Sequence, residues 1–478
     1  MEEFISAAVD SLADFLKQKK SAFQSFKNGE ILISFIHQVN KFSGKISIDD
    51  LLKNNDPVFY FEKPDEEYKI TGISKTAVII ENGNQRFSSA DKKIKEFKER
   101  CLNNWEAYNP LNIPLLFAAV KFTPEHSDNE WKNFSDAVWI IPELILIEDR
   151  NKNDIIFNSV VSSAALLKNL PGQFGKILEN ILSLDQKKNT PAAHQKQVIK
   201  VQKIEGNLPK DKKKWKNQVT ELIQEISADN IQKVVLSRKV ELVLTNEFNF
   251  SEILDKLSKR FSNCYIFLYS SGESVFFGAS PEKLIKFQHT TAEFDVIAGS
   301  ASRGISSDED TALENALLSS SKNINEHKIV LDYILNSIKP FAEDLTVSKT
   351  QVKKYSNIQH LWTRVLAHLQ PDFSLHALLK AVYPTPSICG VPKEKALGLI
   401  KKLEGYKRGL YSGLIGWMNF NNSGEFVIAI RSALYCRRKL AIFAGNGIVK
   451  ESNAEDEWKE TELKLNPILS LFDENKNK

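Results

Sequence analysis

The chain has few cysteines, and the four it has lie too far apart to form a Cys-x-x-Cys pair: Cys101, Cys264, Cys389 and Cys436. We therefore expect neither a disulfide scaffold nor a zinc site built from cysteines, and a reducing, cytoplasmic location fits this usage. Long apolar runs are also lacking, because the most apolar stretch, 137–147, is interrupted by a proline and a glutamate. This interruption predicts that the chain does not span a membrane.

An excess of charge of one sign is missing as well. The 478 residues include 64 Lys and Arg against 60 Asp and Glu, which leaves a net charge of +4. A field this weak gives no indication of a nucleic-acid or anionic-membrane partner. The first residues lack the basic stretch and the small-residue cleavage site of a secretory signal. Apolar residues make up 42% and charged residues 26%, which is typical of a globular chain with a large core.

Apolar periodicity predicts strands and helices that do not alternate regularly, which favours an α+β fold with antiparallel sheets. The last helix should kink or break by Asn466, because Pro467 cannot donate a backbone hydrogen bond. The main predicted strands are 114–122, 137–147, 234–243, 265–269, 274–277, 294–297, 414–420, 425–435 and 439–444, and the main predicted helices are 215–226, 251–261, 327–338, 392–405 and one from 454.

The stretch from Asp185 to Lys214 is rich in polar residues and predicts a long surface connection between two halves. Its lysine cluster at 210–214 suggests either a polyanion site or a solvated helix start. We favour the helix start because an apolar stripe with helical spacing follows at once. The stripe consists of Trp215, Val219, Leu222, Ile223 and Ile226.

Several acidic and basic residues have two interpretations from sequence alone. Glu457, Glu460 and Lys464 share one face of the last predicted helix, which is typical of a salt-bridged surface but also supplies carboxylates for a hard cation such as Mg²⁺. Glu326 could add a further carboxylate. Arg431 falls inside an apolar predicted strand and needs a partner, which is equally well an ion pair or a bound substrate carboxylate.

Small residues after strands give a similar choice. The segments 445–447 and 299–304 are simple turns or nests of backbone N–H groups that bind an anion. Lys233, at a strand start, is solvent-facing or a base, and a lysine acts as a base only when it is neutral. Glu282 is a turn acid or a general acid, and His360 is by default a half-buried structural histidine.

Taken together and in order, these pieces resemble the chorismate-utilising enzymes, which include isochorismate, salicylate, anthranilate and aminodeoxychorismate synthases. The match covers roughly 215–472, with weaker similarity upstream over 115–148. It is carried by 233–238 (KVVLSR), 277–282 (FGASPE), 298–301 (AGSA), 325–327 (NEH), 383–386 (YPTP) with Gly390, 413–417 (GLIGW), 430–431 (IR), 443–448 (FAGNGI) and 457–461 (EWKET).

The resemblance implies one α/β sandwich, in which two large, mainly antiparallel sheets pack face to face with helices outside. Residues 1–205 are expected to form an N-terminal half that contributes strands to this shared sandwich. Residues 206–478 are expected to form the chorismate-binding catalytic region.

Within the family, the motifs look most like isochorismate synthase, an Mg²⁺-dependent isomerase that adds water at C2 of chorismate and expels the C4 hydroxyl. The resemblance assigns the base to Lys233 and the acid to Glu282. It assigns Mg²⁺ binding to Glu326 and Glu460, with Glu457 nearby. The metal would polarise the carboxylate conjugated to the reacting carbons.

The resemblance also implies how the substrate is held. Arg431 would bind the enolpyruvyl carboxylate with help from backbone N–H groups around Gly445 and Gly447, and Lys464 would lie close to the metal-bound carboxylate. The other residues it implies for substrate binding are Gly299, Ser300, Ala301, His360 and Ser387.

Two positions argue against the amino-transferring relatives. Those enzymes usually carry Gln where Lys233 stands, and aminodeoxychorismate synthase has a nucleophilic Lys where this chain has Ala298. No glutaminase half is present in the sequence, so no glutaminase subunit is expected. Ser387 departs from the Ala that isochorismate synthases commonly have and from the Thr of salicylate synthases. Salicylate synthase is therefore the alternative activity and a non-catalytic chorismate-binding protein a third, while a menaquinone or a siderophore pathway fits equally well.

Overall fold

Two large sheets organise the part of the chain that the computed structural model describes, residues 2–26, 29–39, 46–87, 90–105, 113–124, 130–150, 152–186, 201–228 and 231–472. One sheet has 13 strands and the other has 10. In chain order the strands are β1 (Ile31–Val39), β2 (Val58–Lys63), β3 (Tyr68–Ile73), β4 (Ala77–Glu81), β5 (Cys101–Asn103), β6 (Leu116–Val120), β7 (Ala137–Ile141), β8 (Leu144–Asp149), β9 (Lys152–Val161), β10 (Val201–Glu205), β11 (Lys233–Leu244), β12 (Tyr265–Ser271), β13 (Ser274–Ser280), β14 (Lys283–Gln288), β15 (Thr291–Ser302), β16 (Ala342–Val347), β17 (Gln351–Lys354), β18 (Ile358–Leu369), β19 (Gly390–Val391), β20 (Leu414–Met418), β21 (Ser423–Ile428), β22 (Ser432–Cys436) and β23 (Lys439–Ile448).

Helices flank the sheets, and none among the described residues is long and apolar enough to cross a membrane. They are α1 (Glu2–Gln18), α2 (Lys20–Ser25), α3 (Ile48–Leu52), α4 (Ala90–Glu99), α5 (Ala164–Leu167), α6 (Leu170–Gln186), α7 (Pro209–Ser227), α8 (Phe250–Arg260), α9 (Ser307–Ser319), α10 (Ser321–Ile338), α11 (Leu375–Val382), α12 (Lys393–Glu404) and α13 (Ala454–Leu469).

The pairing is antiparallel except between β1 and β5, so the predicted α+β class with two mainly antiparallel sheets is confirmed. The 13-stranded sheet runs β10-β11-β23-β22-β13-β12-β2-β3-β8-β9-β1-β5, with β19 beside β11. The 10-stranded sheet runs β16-β18-β15-β14-β21-β20-β6-β7-β4, with β17 beside β18. The two sheets meet face to face through apolar side chains, and the rings of Phe59 on β2 and Phe117 on β6 lie 5.2 Å apart.

Both sheets combine strands from either side of residue 205. In the larger sheet β2 pairs with β12, where Phe61 lies opposite Phe267. In the smaller sheet β6 pairs with β20, where Ala118 lies opposite Gly416. The division into a contributing half and a catalytic region remains a prediction, but the strands of the two segments hydrogen-bond directly to one another.

Short segments carry the described chain directly from one sheet to the other at several places, one of them 74–76 between β3 and β4, and three more bear on the predictions and the site. The predicted break near residue 142 is one of them, since β7 belongs to the smaller sheet and β8 to the larger. A second separates β13 from β14 at Pro281 and Glu282. The third separates β21 from β22, so the prediction of one strand over 425–435 is wrong, and Arg431 lies between strands with a φ of +51°. Ala429 and Ile430, which precede Arg431, are as apolar as the end of β21, so the sequence shows no interruption at this crossing before the arginine.

The prediction that the last helix kinks or breaks by Asn466 is also wrong, because α13 continues through Pro467 to Leu469. Pro467 has no N–H to give to the carbonyl four residues earlier, that of Leu463. That carbonyl instead accepts a hydrogen bond of 3.0 Å from the side-chain amide of Asn357. With its one orphaned acceptor satisfied, the helix keeps its last turn.

The predicted surface connection over 185–214 contains regular secondary structure where it is described. Residues 187–200 lie outside the described part of the chain, but 201–205 form β10, which pairs with β11 at the edge of the larger sheet. The predicted solvated helix start is confirmed: α7 begins at Pro209, and Lys212 and Lys216 both pair with Glu455 at the surface.

The Asn357 contact gives a testable prediction about helix α13. Asn357→Ala leaves the Leu463 carbonyl without its donor, so we expect it to lower the free energy of unfolding by about 1–2 kcal/mol. Pro467→Ala restores an N–H that can bond to the same carbonyl. In that background Asn357→Ala should cost clearly less, and chemical denaturation of the wild type, both single variants and the double variant measures the difference. Equal costs in the two backgrounds would refute this account.

Candidate active site

Two neighbouring sheet crossings bring distant residues together. Because β13 pairs with β22 and β14 pairs with β21, the crossing at Glu282 runs alongside the crossing at Arg431. The Ile428 N–H donates to the Glu282 carbonyl at 3.0 Å, and the Ala279 N–H donates to the Arg431 carbonyl at 3.1 Å. Both side chains are buried, and both line one pocket between the sheets.

Lys233 forms a further wall of this pocket at the start of β11. Its side chain is 1% exposed, so it is not the solvent-facing lysine that its position at a strand start suggests, and its Nζ lies 2.9 Å from Oε1 of Glu326 on α10. On the neighbouring strand, a Cβ at Gly447 would meet that Oε1 at 2.3 Å and the Lys233 Cε at 2.5 Å. Gly447 therefore leaves the space in which this lysine and carboxylate meet.

The carboxyl group of Glu282 can remain protonated near neutral pH. Burial raises its pKa to about 7, although the hydrogen bond from Ser387 and the charges of Lys233 and Arg431 each lower it. Ser387 Oγ donates to Glu282 Oε1 at 2.6 Å and is itself 2.6 Å from the hydroxyl of Thr385. A carboxyl group with this pKa exists in both forms at pH 7, which suits a general acid.

Arg431 faces His360 across the pocket, and the ring of His360 is fixed by its neighbours. Burial, followed by the charge of Arg431, lowers the pKa of His360 to about 3, so the ring is neutral. The Gly299 carbonyl lies 3.3 Å from Nδ1, the Ser300 hydroxyl 2.9 Å from Nδ1, and an Arg431 nitrogen 3.4 Å from Nε2. A carbonyl only accepts and a guanidinium only donates, so we infer that Nδ1 carries the proton. His360 is thus a buried residue at the pocket and not half-buried.

The acidic face of α13 is turned away from solvent, with Glu457 buried and Glu460 half-buried, unlike a typical salt-bridged surface. Burial and the charge of Glu460 raise the pKa of Glu457, whose carboxylate accepts from Lys322 at 2.7 Å and from Asn446 at 3.0 Å. Burial alone would raise the pKa of Glu460 as well, but Lys464, 2.7 Å away, outweighs it and holds the value at about 2. Lys464 also donates to the Gly445 carbonyl at 3.1 Å.

The structure brings most of the predicted site residues to one pocket. Ala301 follows Ser300 along β15 outside the pocket lining, and Glu457 and Glu460 lie behind it on α13. The predicted residues that line the pocket are Lys233, Glu282, Gly299, Ser300, Glu326, His360, Ser387, Arg431, Gly445, Gly447 and Lys464.

Sequence reasoning missed the apolar and hydroxyl part of the lining. Tyr411 is the largest of these residues, and its ring stacks on Phe443 at 5.0 Å with an interplanar angle of 16°. Gly409 and Gly413 on either side of Tyr411 were the available signal, since both are pressed against other groups and mark a tightly folded segment. The missed lining residues include Val235, Ile297, Ile388, Tyr411, Ser412, Ile430 and Phe443.

The carboxylates of α10 and α13 at this site suit a hard divalent cation, but each of them is paired with a lysine. Within the described ranges, no three Asp, Glu, His or Cys side chains gather closely enough to hold a metal. The carboxylates are oxygen donors of the kind that Mg²⁺ prefers. Each of these carboxylates forms an ion pair with a lysine. A divalent cation that enters together with a doubly charged anionic substrate adds no net charge to these pairs, so the residues fit Mg²⁺ in chemistry and in charge. The pairs are Lys233 with Glu326, Lys322 with Glu457, and Lys464 with Glu460.

A buried lysine, a carboxyl group with a near-neutral pKa and an arginine in the lining of one pocket define an enzyme site for a small anionic substrate. Comparison with known proteins identifies the family. A family model described as chorismate binding enzyme matches residues 15–473, and the chain belongs to this family.

Similar proteins support the same family. The chain is 28% identical to the isochorismate synthase MenF of Bacillus subtilis over 459 residues, which cover 93% of this chain and 94% of that one. It is 27% identical to the salicylate biosynthesis isochorismate synthase of Pseudomonas aeruginosa over 415 residues, or 86% and 84% of the two chains. The fold matches that of the menaquinone-specific isochorismate synthase MenF of Escherichia coli with a TM-score of 0.75 at 20% identity, over 97% of this chain and all of that one.

The close approach at Gly447 predicts a severe effect of one methyl group. Gly447→Ala should push Lys233 and Glu326 apart. If Lys233 acts as the base, we expect turnover of chorismate to fall about 100-fold, because a misplacement of about 1 Å at a reacting group has an effect of this size. Gly398→Ala on α12 is the matched control, since a Cβ there meets no atom within 4 Å. Steady-state rates and melting curves of both variants test this. A fully active Gly447→Ala enzyme would show that the spacing does not matter.

The hydrogen bond from Ser387 predicts a shift in pH dependence. Because it stabilises the Glu282 carboxylate, its removal in Ser387→Ala should raise the pKa of Glu282 above about 7. If Glu282 acts as the acid, activity falls as pH rises through its pKa, so the alkaline limb of the kcat profile should move to higher pH. Lys233, Arg431 and Asp295 also act on this group and stay in place. Ser412→Ala, which removes a pocket hydroxyl not bonded to Glu282, should leave the limb where it is. An unmoved or acid-shifted limb in Ser387→Ala contradicts the assignment.

Proposed function

We propose that this protein is an isochorismate synthase, an isomerase that converts chorismate to isochorismate by adding water at C2 and releasing the C4 hydroxyl. The observation that carries the proposal is the presence of a buried lysine and a buried, near-neutral carboxyl group in the lining of one pocket. Amino-transferring members of the family have no need of a base that activates water. The full-length similarity to isochorismate synthases of two organisms supports the same activity.

In the proposed reaction, Lys233 is the base that takes a proton from the water that attacks C2. Protonated Glu282 gives a proton to the C4 hydroxyl, which leaves as water. One proton is taken up and one is released in each turnover, so the two groups exchange protonation states and are reset by solvent. The pKa of about 7 at Glu282 keeps a large share of that group protonated at neutral pH.

Chorismate carries two carboxylates, and the proposal gives each a separate binding group. Arg431 and the backbone around Gly445 and Gly447 would hold the enolpyruvyl carboxylate, and the neutral ring of His360, 3.4 Å from an Arg431 nitrogen, would fix the guanidinium without competing for the anion. Lys464 would lie beside the ring carboxylate. An anion held at both ends cannot rotate, which aligns C2 and C4 with the base and the acid.

Glu326 and Glu460, with Glu457 nearby, are the residues that would hold Mg²⁺. When bound, the ion would polarise the ring carboxylate and stabilise the negative charge that develops as the reaction proceeds. Lys322 and Lys464 neutralise the α13 carboxylates when the ion is not bound. With the ion bound, these lysines would pair with other groups or share the carboxylates with the ion.

Salicylate synthase is the second candidate, and Ser387 is the residue that raises it. Its hydroxyl contacts the proposed acid, at a position where family members that release pyruvate carry Thr. Ser lacks the methyl group of Thr and leaves nearly the volume of Ala. We therefore expect isochorismate as the main product.

One experiment tests the proposed activity. Purified protein is incubated with chorismate and Mg²⁺, and the products are separated by chromatography. We expect mainly isochorismate, no turnover with a chelator, and recovery when Mg²⁺ is restored. Lys233→Ala should reduce turnover by about 10²–10⁴-fold, the usual effect of losing a general base, while exposed Lys328→Ala retains the wild-type rate. Mostly salicylate and pyruvate, no product at all, or activity that survives chelation would each overturn part of the proposal.

A further inference from the structure

Next to the pocket lies an ion pair whose two residues are not part of the pocket lining. Arg408 and Glu404 are the two partners, and both side chains are 1% exposed. Arg408 Nε donates to Glu404 Oε2 at 2.9 Å. Although burial opposes the charge of Arg408, the Glu404 carboxylate raises its pKa above the ordinary value. Replacing a buried ion pair by apolar residues often leaves the free energy of unfolding unchanged, so stability does not by itself explain this pair.

The remaining hydrogen bonds of the pair go to the walls of the pocket. Arg408 donates to the carbonyl of Val235 at 2.8 Å, two residues after Lys233 on β11. It also donates to the carbonyl of Ile388 at 2.7 Å, next to Ser387. The Arg408 guanidinium thus bonds directly to the backbone of both the base-bearing wall and the wall that contacts the acid.

Glu404 strengthens the same connection and extends it to a third wall. Its Oε1 accepts from both the N–H and the hydroxyl of Ser237 at 2.7 Å, which holds β11 a second time. The Ser237 hydroxyl lies 2.5 Å from the hydroxyl of Tyr406. Tyr406 begins the segment that leads to Tyr411, the stacked aromatic residue of the pocket lining.

We propose that the Arg408–Glu404 pair is a positioning device that fixes the wall carrying Lys233 relative to the wall carrying Ser387 and, through Ser387, relative to Glu282. The inference rests on the proposed reaction, in which base and acid must act on two carbons of one ring. Only a planar fork with several donors can reach Glu404 and two carbonyls at once. Arg408 and Glu404 are therefore positioning residues and not catalytic ones.

The substitution Arg408→Lys tests this with little change in charge or volume. The single ammonium keeps an ion pair with Glu404 but cannot reproduce the fork, so the two walls loosen against each other. We expect kcat to fall about 10- to 100-fold, because small misplacements of reacting groups have effects of this size. KM should change less than about threefold, since Arg431, Lys464 and the glycines that hold the carboxylates are untouched.

The chain offers a matched control in Arg86→Lys. Arg86 is also buried and also donates to two backbone carbonyls, those of Lys121 and Phe122 at 2.9 Å, but it does not touch the pocket lining. If loss of a buried fork acts only through general stability, Arg86→Lys and Arg408→Lys should affect kcat alike. We expect Arg86→Lys to lower the melting temperature and to leave kcat within about twofold of the wild type.

Hydrogen exchange of the unliganded protein provides a readout that does not depend on the proposed activity. In Arg408→Lys we expect faster exchange confined to 233–237 and 386–390, and in Arg86→Lys no change in these segments. Glu404→Gln, which keeps an acceptor for Ser237, should show a weaker form of the Arg408→Lys effect. Exchange that rises evenly over both sheets, a kcat near wild type, or KM and kcat that change together would overturn the proposal. If the wild type makes no isochorismate, the proposed function fails while the exchange pattern still decides whether the pair holds the walls.

Discussion

A charged side chain buried between the two sheets needs a group of opposite charge beside it, and this requirement determines the arrangement of the whole site. Unpaired ions in such a place are too unfavourable to persist. The protein accordingly gives each inward-facing carboxylate of α10 and α13 a lysine partner. Glu282 receives no lysine in contact and takes the other course, retaining a proton to near-neutral pH. Within the described part of the chain, Glu282 is therefore distinguished from these carboxylates by having no cation at bonding distance.

The sheet crossings explain how such a concentration of polar groups arises inside an apolar sandwich. Residues within a strand have their backbone groups committed to the ladder, and their side chains point to one face or the other. Where the chain leaves one sheet for the other, the side chain projects into the space between them. Glu282 and Arg431 occupy two such positions that lie side by side because their flanking strands pair.

Much of this arrangement can be predicted from the sequence. Strand and helix segments follow from apolar periodicity, and the motif residues from resemblance, so the pocket contains the predicted base, acid and arginine. The crossing at Arg431 was not accessible, because its neighbours are as apolar as a strand interior. The end of α13 was misjudged because Asn357, 110 residues before Pro467, supplies the missing hydrogen bond. The roles of Lys322, in the first turn of α10, and Arg408, in the loop after α12, could not be predicted for a similar reason: basic residues at such positions have the pattern of solvated ones until tertiary packing brings them to their partners.

Each sheet combines strands from distant parts of the chain, and this constrains the order in which the strands can pair during folding. β6 is complete at Val120, yet its neighbour β20 begins only at Leu414, and β2 must likewise wait for β12. During synthesis the early strands therefore present open edges for most of the time that the ribosome works on the chain. Pairings this far apart in sequence form slowly. The N-terminal strands are thus most exposed to pairing with a wrong strand while the rest of the chain is still being synthesised.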